Sequence, residues 1–330
     1  MKPIFSVIIP AYNEEEVLRA SYERIDAVMR GIGEPYELLF IDDGSKDQTA
    51  DILQKIAKEN RAVRLLRFSR NFGHQIAVTA GLDAASGEAM IIIDCDLQDP
   101  PEVIPEMVAK WREGFDVVHG KRVKRQGETA FKKITAWAFY RAMQKMAGFP
   151  IPSDVGDFRL VSRRAADAVR AMPEHNRYLR GIFAWVGFSQ TEVEYSRDKR
   201  YAGKTKYPFS KMLRLAMNGV LSFSTKLLDW IAVLGGMLVF AGALWLLILL
   251  LLLIFGKTGL ELSALCALIV LMTGLILFSI GILGAYLGRV YDEVKGRPLY
   301  LIAERIGFDE GERGEGGELR VESSELRIES

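Results

Sequence analysis

Cysteine is scarce in this sequence, and an excess of either charge is lacking. Only Cys95 and Cys266 occur among 330 residues. One lies between two aspartates and the other in an apolar stretch, which argues against a disulfide framework. The 43 basic and 42 acidic side chains nearly cancel, so the overall charge does not indicate a nucleic-acid partner. The chain turns acidic at residues 13–16, before any long apolar run, so we expect no signal peptide and a cytoplasmic amino-terminal part.

Long apolar runs, by contrast, are present twice. Residues 230–255 and 262–287 carry no charged side chain, and at about 26 residues each exceeds the roughly 20 residues needed to cross a bilayer. A buried helix pair in a soluble protein is the alternative, but the unbroken apolarity favours two transmembrane helices. The short link between them predicts a hairpin. Basic residues beside both outer ends (Lys226, Arg289, Lys295) place these ends in the cytoplasm.

The first 120 or so residues alternate between short apolar runs and longer segments with helical spacing. Residues 14–30 and 49–60 have the helical spacing, whereas IFSVIIP, YELLFID, VRLLRF, AMIIID and FDVVHG are typical of buried strands. This alternation predicts an α/β fold with a mostly parallel sheet and helices on both faces. In such sheets ligands bind beyond the carboxyl ends of the strands.

A polar cluster follows each of the first four apolar runs: PAYNEEE, DDGSKD, SRNFGH and DCDLQD. Parallel strands bring these clusters to one edge of the sheet, which predicts a site there. Asp94 and Asp96, with Gln98 as a neutral oxygen donor, suit a hard cation such as Mg²⁺ that is shared with substrate phosphates. Such a cation would neutralise a diphosphate leaving group. Two surface aspartates beside a turn are the alternative, which the position after a buried strand disfavours.

Asp42 and Asp43 end the second apolar run and allow two interpretations. They could form an Asx turn into the next helix, with Ser45 or Asp47 as its cap. A carboxylate here could also accept a hydrogen bond from a nucleobase N–H or a ribose hydroxyl. We assign capping to the later residues of DDGSKD and ligand binding to Asp42 and Asp43.

Five motifs in order extend this pattern: VIIPAYNEE, IDDGSKDQT, RNFGHQIAVTAGLDAASGE, IIIDCDLQDPPEVIPEM and GDFRL. Together they resemble the family 2 glycosyltransferases with a GT-A fold, and within that family the branch of dolichol-phosphate mannose synthase and bacterial polyprenyl-phosphate glycosyltransferases. The resemblance covers roughly the first 225 residues, and the apolar hairpin fits the bacterial members. It implies a GT-A nucleotide-sugar-binding domain of Rossmann-like type, a divalent cation (Mg²⁺ or Mn²⁺), a nucleotide-sugar donor and a polyprenyl phosphate acceptor.

The resemblance also implies roles for individual positions. The expected substrate-binding residues are Pro10, Tyr12, Glu14, Asp42, Asp43, Arg122, Lys204 and Lys206, and the expected metal ligands are Asp94, Asp96 and Gln98. The expected catalytic residues are Asp157, Asp96 and Arg200. RYAGKTKY resembles the R-x-x-G-x-S-K loop that folds over donor and acceptor phosphates, with Thr205 in place of serine. HGKR stands where the family more often has GSR. Because of Lys121, the alignment of Arg122 with the family's basic residue near the phosphates stays open.

Asp157 occupies the position often treated as the catalytic base. The expected nucleophile is a phosphate monoester with a second pKa of about 6, which needs little deprotonation near neutral pH. Asp157 could instead hold a sugar hydroxyl or position a basic residue. Direct attack by the lipid phosphate should invert the anomeric configuration, with catalysis resting on alignment and on cations aimed at the leaving group. His74 and His119 stay outside the expected catalytic set, because a lone histidine is more often structural.

The acceptor must reach the site from a bilayer. Segments 131–146 and 208–228 have a basic amphipathic pattern typical of helices in the membrane interface, although a core-facing helix is an equal alternative for the first. Glycines in the second span permit close helix contact and make a homo-oligomer an expectation. The expected organisation is a cytoplasmic catalytic domain (1–207), an interfacial helix (208–228), the two spans (229–289) and a cytoplasmic segment (290–330) with a disordered acidic tail after about residue 308.

We therefore expect an inverting glycosyltransferase of the plasma membrane that moves glucose from UDP-glucose to undecaprenyl phosphate. GDP-mannose, an N-acetylhexosamine or a modified arabinose are alternative donors. A processive polysaccharide synthase is disfavoured because the chain has no Q-x-x-R-W motif and too few spans. An inactive nucleotide-binding membrane scaffold is disfavoured because Asp96 and the RYAGKTK motif are both present.

Overall fold

The computed structural model describes residues 2–123, 155–197 and 261–308, together with scattered positions between 237 and 255. The strands are β1 (Phe5–Ala11), β2 (Tyr36–Asp42), β3 (Val63–Phe68), β4 (Ala89–Ile92), β5 (Val117–Arg122), β6 (Val155–Ser162), β7 (Gln190–Tyr195) and β8 (Ile302–Ile306). The helices are α1 (Leu18–Ile32), α2 (Thr49–Glu59), α3 (His74–Ala84), α4 (Ile104–Arg112), α5 (Arg163–Arg170), α6 (Leu179–Trp185) and α7 (Glu261–Val294). Both expected amphipathic segments and most of the first expected span lie outside the described residues.

The described strands join one sheet in the order β7-β5-β6-β4-β1-β2-β3-β8. The central strands β4, β1, β2 and β3 are parallel, which confirms the predicted α/β fold, whereas β6 and β8 run antiparallel to their neighbours. The register pairs Ala11 with Asp42 and Asp42 with Arg67. The carboxyl ends of β1, β2 and β3 therefore lie side by side, and the turns after them share one edge.

The sheet is covered on both faces, which explains why its central strands are mostly apolar. Ser6 and Glu37 are buried polar exceptions, and the Ser6 hydroxyl donates to the Glu37 carboxylate. Every residue of β1 is buried, as expected for a parallel strand between two helical layers. Phe5, Val7 and Ile9 pack with the layer of α1, α2 and α4, whereas Ile8 packs with the layer of α3, α5 and α6. Burial on both sides holds the strand ends in place, so the turns after them rest on a rigid frame.

Gly44 lets two of these turns approach each other. Its φ of +67° lies in the left-handed region, which favours glycine. A Cβ atom at this position would lie 2.5 Å from the carbonyl carbon of Arg70. A side chain would therefore push the turn after β2 away from the turn after β3, and the glycine of DDGSKD is required by this backbone contact.

α7 is long and apolar enough to span a membrane, with the candidate span at Met272–Val294. Among the described residues it is the one helix of this kind, and none of the span is buried against the rest of the protein. The helix contains the second expected span and continues beyond it to Val294. The hairpin itself stays a prediction, because residues 230–255 are described only at scattered positions.

After α7 the chain returns to the sheet. β8 pairs antiparallel with β3, with Arg67 opposite Glu304. At the end of α7, Nδ1 of His175 lies 2.9 Å from a carboxylate oxygen of Glu293, which joins the helix to the loop before α6. Residues 302–306, which fall in the expected carboxyl-terminal segment 290–330, thus belong to the same sheet as the amino-terminal strands.

Candidate active site

The turns after β1 and β2 are tied together by residues of the predicted motifs. The backbone N–H of Asn13 donates to Oγ of Ser45 at 3.0 Å, and Oδ1 of Asn13 accepts from the N–H of Lys46 at 2.8 Å. The N–H of Glu14 donates to Oγ1 of Thr49 at 2.9 Å. These bonds fix the first polar cluster against the second, so the two clusters form one surface.

Asp42 and Asp43 both have partners inside the protein. The carboxylate of Asp43 accepts from the N–H groups of Phe72 and Gly73 at 2.6 and 3.0 Å, and burial raises its pKa. Asp42 is fully buried and accepts from the N–H of Ser45, three positions along the chain, at 3.0 Å. Both residues shape the edge of the sheet, and a ligand-binding role for them stays a prediction.

An acidic turn, residues 94–99, follows β4. The N–H of Gln98 donates to Oδ1 of Asp96 at 3.1 Å. Between them Leu97 has a φ of +57°, a conformation that is unfavourable by roughly 1–2 kcal/mol for a residue with a side chain. Local backbone strain of this kind is frequent at functional sites. The turn gathers the expected ligands Asp94, Asp96 and Gln98 within five consecutive positions.

The carboxylates of the acidic turn repel one another. Burial, together with the negative charges of Asp157, Asp99 and Asp96, raises the pKa of Asp94 to about 6. A divalent cation would balance this charge, and carboxylate oxygens are ligands that Mg²⁺ and Mn²⁺ favour. Within the ranges that the structure describes, no group of three or more His, Cys, Asp or Glu side chains is arranged to hold a metal ion.

The raised pKa predicts how metal binding depends on pH. Asp94 must be ionised to bind a cation, and with a pKa of about 6 it is about nine-tenths ionised at pH 7 and about one-tenth at pH 5. We expect the affinity for Mn²⁺, measured by electron paramagnetic resonance without nucleotide, to fall about tenfold from pH 7 to pH 5. Asp94→Asn should lose this dependence along with most of the affinity. Equal affinities at both pH values would show that Asp94 titrates near the ordinary value of about 3.9.

Asp157, the expected catalytic base, is surrounded by cationic side chains. Its carboxylate oxygens accept from Nε and Nη2 of Arg180 at 2.9 and 3.0 Å, and Nη2 of Arg159 lies 3.7 Å away. Burial alone would raise the pKa of Asp157, but the Arg180 guanidinium outweighs it and holds this pKa far below its usual range. Such a carboxylate is a weak proton acceptor near neutral pH. The geometry favours the alternative role, in which Asp157 positions a basic residue.

His74 lies between the acidic turn and Asp157. It is the first residue of α3, and its Nε2 is 3.6 Å from Oδ1 of Asp94 and 3.7 Å from Oδ2 of Asp157. His119 is buried in the sheet instead, where its Nε2 contacts Gln190 at 2.8 Å and burial lowers its pKa to about 4. One of the two histidines outside the expected catalytic set is thus part of the site.

The other expected residues differ in their placement. Arg122 ends β5, and its guanidinium contacts Tyr195 and Asp99. Pro10 is buried within β1, and Tyr12 is partly exposed just beyond it. The expected phosphate-binding residues of the RYAGKTKY motif lie outside the described residues: Arg200, Lys204 and Lys206.

This combination of fold and site has counterparts among known proteins. The family model described as glycosyl transferase family 2 matches residues 6–170. A protein of Bacillus subtilis strain 168, described as an uncharacterized glycosyltransferase, is 47% identical over 306 residues, which are 92% of this chain and 95% of that protein. The chain belongs to glycosyl transferase family 2. Membership confirms the GT-A fold and the glycosyltransferase activity that the motifs predicted.

Other relatives carry more specific descriptions. The bactoprenol glucosyl transferase of Shigella phage SfII is 40% identical over 300 residues, which are 90% of this chain and 96% of that protein. Among solved structures, glucosyl-3-phosphoglycerate synthase from Mycobacterium tuberculosis, in complex with Mn²⁺, UDP and phosphoglyceric acid, is similar over 66% of this chain and 76% of that one. The sequence identity is 20% and the TM-score is 0.49.

Two residues of this family 2 glycosyltransferase site were missed by sequence reasoning. His74 had a usable signal, because it ends SRNFGH, the third polar cluster at the functional edge. Arg180 had none. It lies on α6, 23 positions after the aspartate that it binds, and no motif or spacing connects the two.

Proposed function

We propose that this glycosyltransferase transfers glucose from UDP-glucose to a polyprenyl phosphate, with inversion at the anomeric carbon. The observation that carries the proposal is the acidic turn, which lies at the edge of the sheet where the nucleotide motifs end. The sugar and the lipid class come from the bactoprenol glucosyl transferase that is 40% identical over 90% of this chain. Together they support a donor with a diphosphate and an acceptor with a phosphate.

Asp94 and Asp96, with the side-chain oxygen of Gln98, would hold Mg²⁺ or Mn²⁺. The raised pKa of Asp94 supports this assignment, since burial and, after it, the negative charges of neighbouring carboxylates disfavour the ionised form that a cation would stabilise. When bound, the cation would neutralise the donor diphosphate as the sugar leaves. The chain adds a guanidinium beside the turn, that of Arg122, whose Nη2 is 3.4 Å from Asp99.

The acceptor phosphate needs orientation more than deprotonation. A phosphate monoester with a second pKa of about 6 is mostly dianionic at neutral pH. Its charge favours cationic neighbours, and the ion pair of Asp157 with Arg180 supplies a guanidinium in a fixed orientation. In this arrangement the pair aligns the reacting groups. Direct displacement requires no covalent sugar–enzyme intermediate, so the product has the inverted configuration.

A lipid acceptor requires an enzyme at the bilayer surface. α7 supplies a helix able to span a membrane, and β8 leads the chain from the end of that helix back to the catalytic sheet. Lys295 and Arg297 follow α7, which supports a cytoplasmic location of this end. We therefore place the catalytic domain on the inner face of the plasma membrane, and we retain self-association through the apolar helices as part of the proposal.

The test is a transfer assay with a panel of donors. The full-length protein in detergent is incubated with undecaprenyl phosphate, Mg²⁺ and one labelled donor at a time: UDP-glucose, UDP-N-acetylglucosamine or GDP-mannose. We expect label in the organic phase from UDP-glucose, and its loss when EDTA is added. Label from GDP-mannose alone would contradict UDP-glucose as the donor but would support sugar transfer to the lipid phosphate. No lipid label from any donor would contradict the proposed function.

A further inference from the structure

We propose that Asp99 is a positioning residue that aims two arginines at the donor diphosphate, an inference that rests on the proposed function. Asp99 is the last residue of the acidic turn, and its side chain is fully buried. It accepts from the hydroxyl of Tyr195 at 2.6 Å, from Nε of Arg197 at 3.1 Å and from Nη2 of Arg122 at 3.4 Å. One carboxylate thus holds the ends of β5 and β7 against the acidic turn.

These contacts form a closed network. Nε of Arg122 donates to the hydroxyl of Tyr195 at 3.2 Å, and that hydroxyl donates to Asp99. The Arg122 guanidinium also lies against the backbone of Gly156, where a Cβ atom would come within 2.5 Å of Nη2. A guanidinium held by Asp99, Tyr195 and Gly156 has lost much of its freedom before a ligand arrives. Less conformational entropy is therefore lost when it binds a phosphate.

The charges of the network suit an anion. A buried carboxylate is strongly unfavourable unless it is paired, and Asp99 faces two guanidiniums, so the group of Asp99, Arg122 and Arg197 carries one positive charge in excess. Both arginines remain partly exposed, by 19% and 29% of their side-chain surface, whereas Asp99 is not exposed. The arginines can therefore contact a ligand beside the acidic turn, and Asp99 acts only through them.

This role differs from that of the other carboxylates in the turn. Asp94 and Asp96 have side chains assigned to the cation, whereas the burial of Asp99 keeps it from both cation and donor. A structural role alone would affect every ligand equally through the fold. A positioning role affects those ligands that carry phosphate.

Binding of UDP and of uridine separates the two roles. Calorimetric titrations use the full-length protein in detergent with Mn²⁺ present. We expect Asp99→Asn to weaken UDP binding about 10- to 100-fold, the scale of lost charge-assisted hydrogen bonds. Uridine, which has no phosphate, should bind within about twofold of its wild-type affinity, since it makes none of these bonds. Tyr195→Phe removes one hydroxyl and no charge, and should weaken UDP binding about 3- to 10-fold.

Asp116→Asn is the matched control. Asp116 is also a buried carboxylate that is paired with an arginine, Arg164, and bonded to Ser162 and Ser189. It directly precedes β5, at the opposite end of that strand from Arg122. We expect this variant to lose stability without any change in UDP affinity.

Two results would overturn the inference: unchanged UDP binding by Asp99→Asn, or UDP and uridine affinities that fall together. If Asp99→Asn does not fold, Tyr195→Phe is judged by the same comparison of UDP with uridine. A wild-type protein that binds neither UDP nor UDP-glucose would instead contradict the proposed function, so the two failures are distinguishable.

Discussion

Asp96→Asn should nearly abolish sugar transfer while the protein stays folded. The amide oxygen of asparagine can still accept the N–H of Gln98, as Asp96 does at 3.1 Å, so the acidic turn keeps its shape. The substitution removes one of two carboxylates proposed to hold the cation. We expect kcat/KM to fall about 10²- to 10³-fold, the scale of removing one preorganised electrostatic contact. Transfer of labelled glucose into lipid and a thermal unfolding scan measure the two quantities.

Asp51→Asn provides the control for that experiment. It is the same chemical change at an exposed position in the first turn of α2, and it should leave transfer unchanged. Asp96→Asn should also lose the Mn²⁺ dependence of UDP binding. A variant that keeps both its metal-dependent binding and more than about a tenth of the wild-type rate would contradict the assignment of Asp96, because a metal ligand contributes more than this.

The second large effect is expected at the ion pair of Asp157 and Arg180. Asp157→Asn weakens the paired hydrogen bonds that hold the Arg180 guanidinium at 2.9 and 3.0 Å. We expect kcat to fall about 10²-fold because the reacting groups are no longer aligned. Arg180→Met should lose about as much. Because the two side chains act as one unit, the double variant should be little worse than either single variant. Losses that multiply would show that the two residues act independently.

The pH profile separates this role from general base catalysis. The pKa of Asp157 lies below its usual range, so its charge and the stability gained from the ion pair are fully present at pH 7. They are lost only as the pH falls through that low value. The ratio of wild-type kcat to that of Asp157→Asn should therefore stay constant between about pH 6 and pH 9. If Asp157 were a general base with a pKa near neutrality, the wild-type profile would have a rising limb that the variant lacks.

The sheet edge that carries the site could be predicted, because the polar clusters that mark it directly follow apolar runs in the sequence. A buried strand between two helical layers is a nearly continuous apolar run, so the ends of β1, β2 and β4 are visible as the points where clusters of polar residues begin. Asp94 and Asp96 stand at such a point. The parallel arrangement then brings the four clusters together with no knowledge of distant contacts.

The partners of these residues could not be predicted, because they come from distant parts of the chain. Tyr195 lies 96 positions from Asp99, and Phe72 lies 29 positions from Asp43. No periodicity encodes such pairs, which arise only when the turns pack. These long-range contacts nevertheless determine the pKa values, and with them the chemical roles, of the site residues. The depressed pKa of Asp157, which argues against the role of base, is caused by Arg180 on a separate helix.

β8 escaped prediction for a different physical reason. It is an edge strand, hydrogen-bonded on one side only to β3, and its residues alternate between partly buried and exposed. Such a strand needs little apolar sequence, so it lacks the continuous run that made the central strands visible. Its place after a candidate membrane helix also gave no reason to expect that it belongs to the catalytic sheet.

The most direct test of the proposed reaction is the mass and anomeric configuration of the lipid formed from UDP-glucose labelled uniformly with carbon-13. The full-length protein would be incubated with this donor, undecaprenyl phosphate and Mn²⁺, and the organic phase analysed by mass spectrometry and NMR. We expect undecaprenyl phosphate that has gained one labelled hexose in the β configuration, inverted from the α-linked donor, and none when EDTA is present. Labelled glucose found only as intact donor or as free sugar, with a protein that still binds UDP, would contradict the proposed reaction.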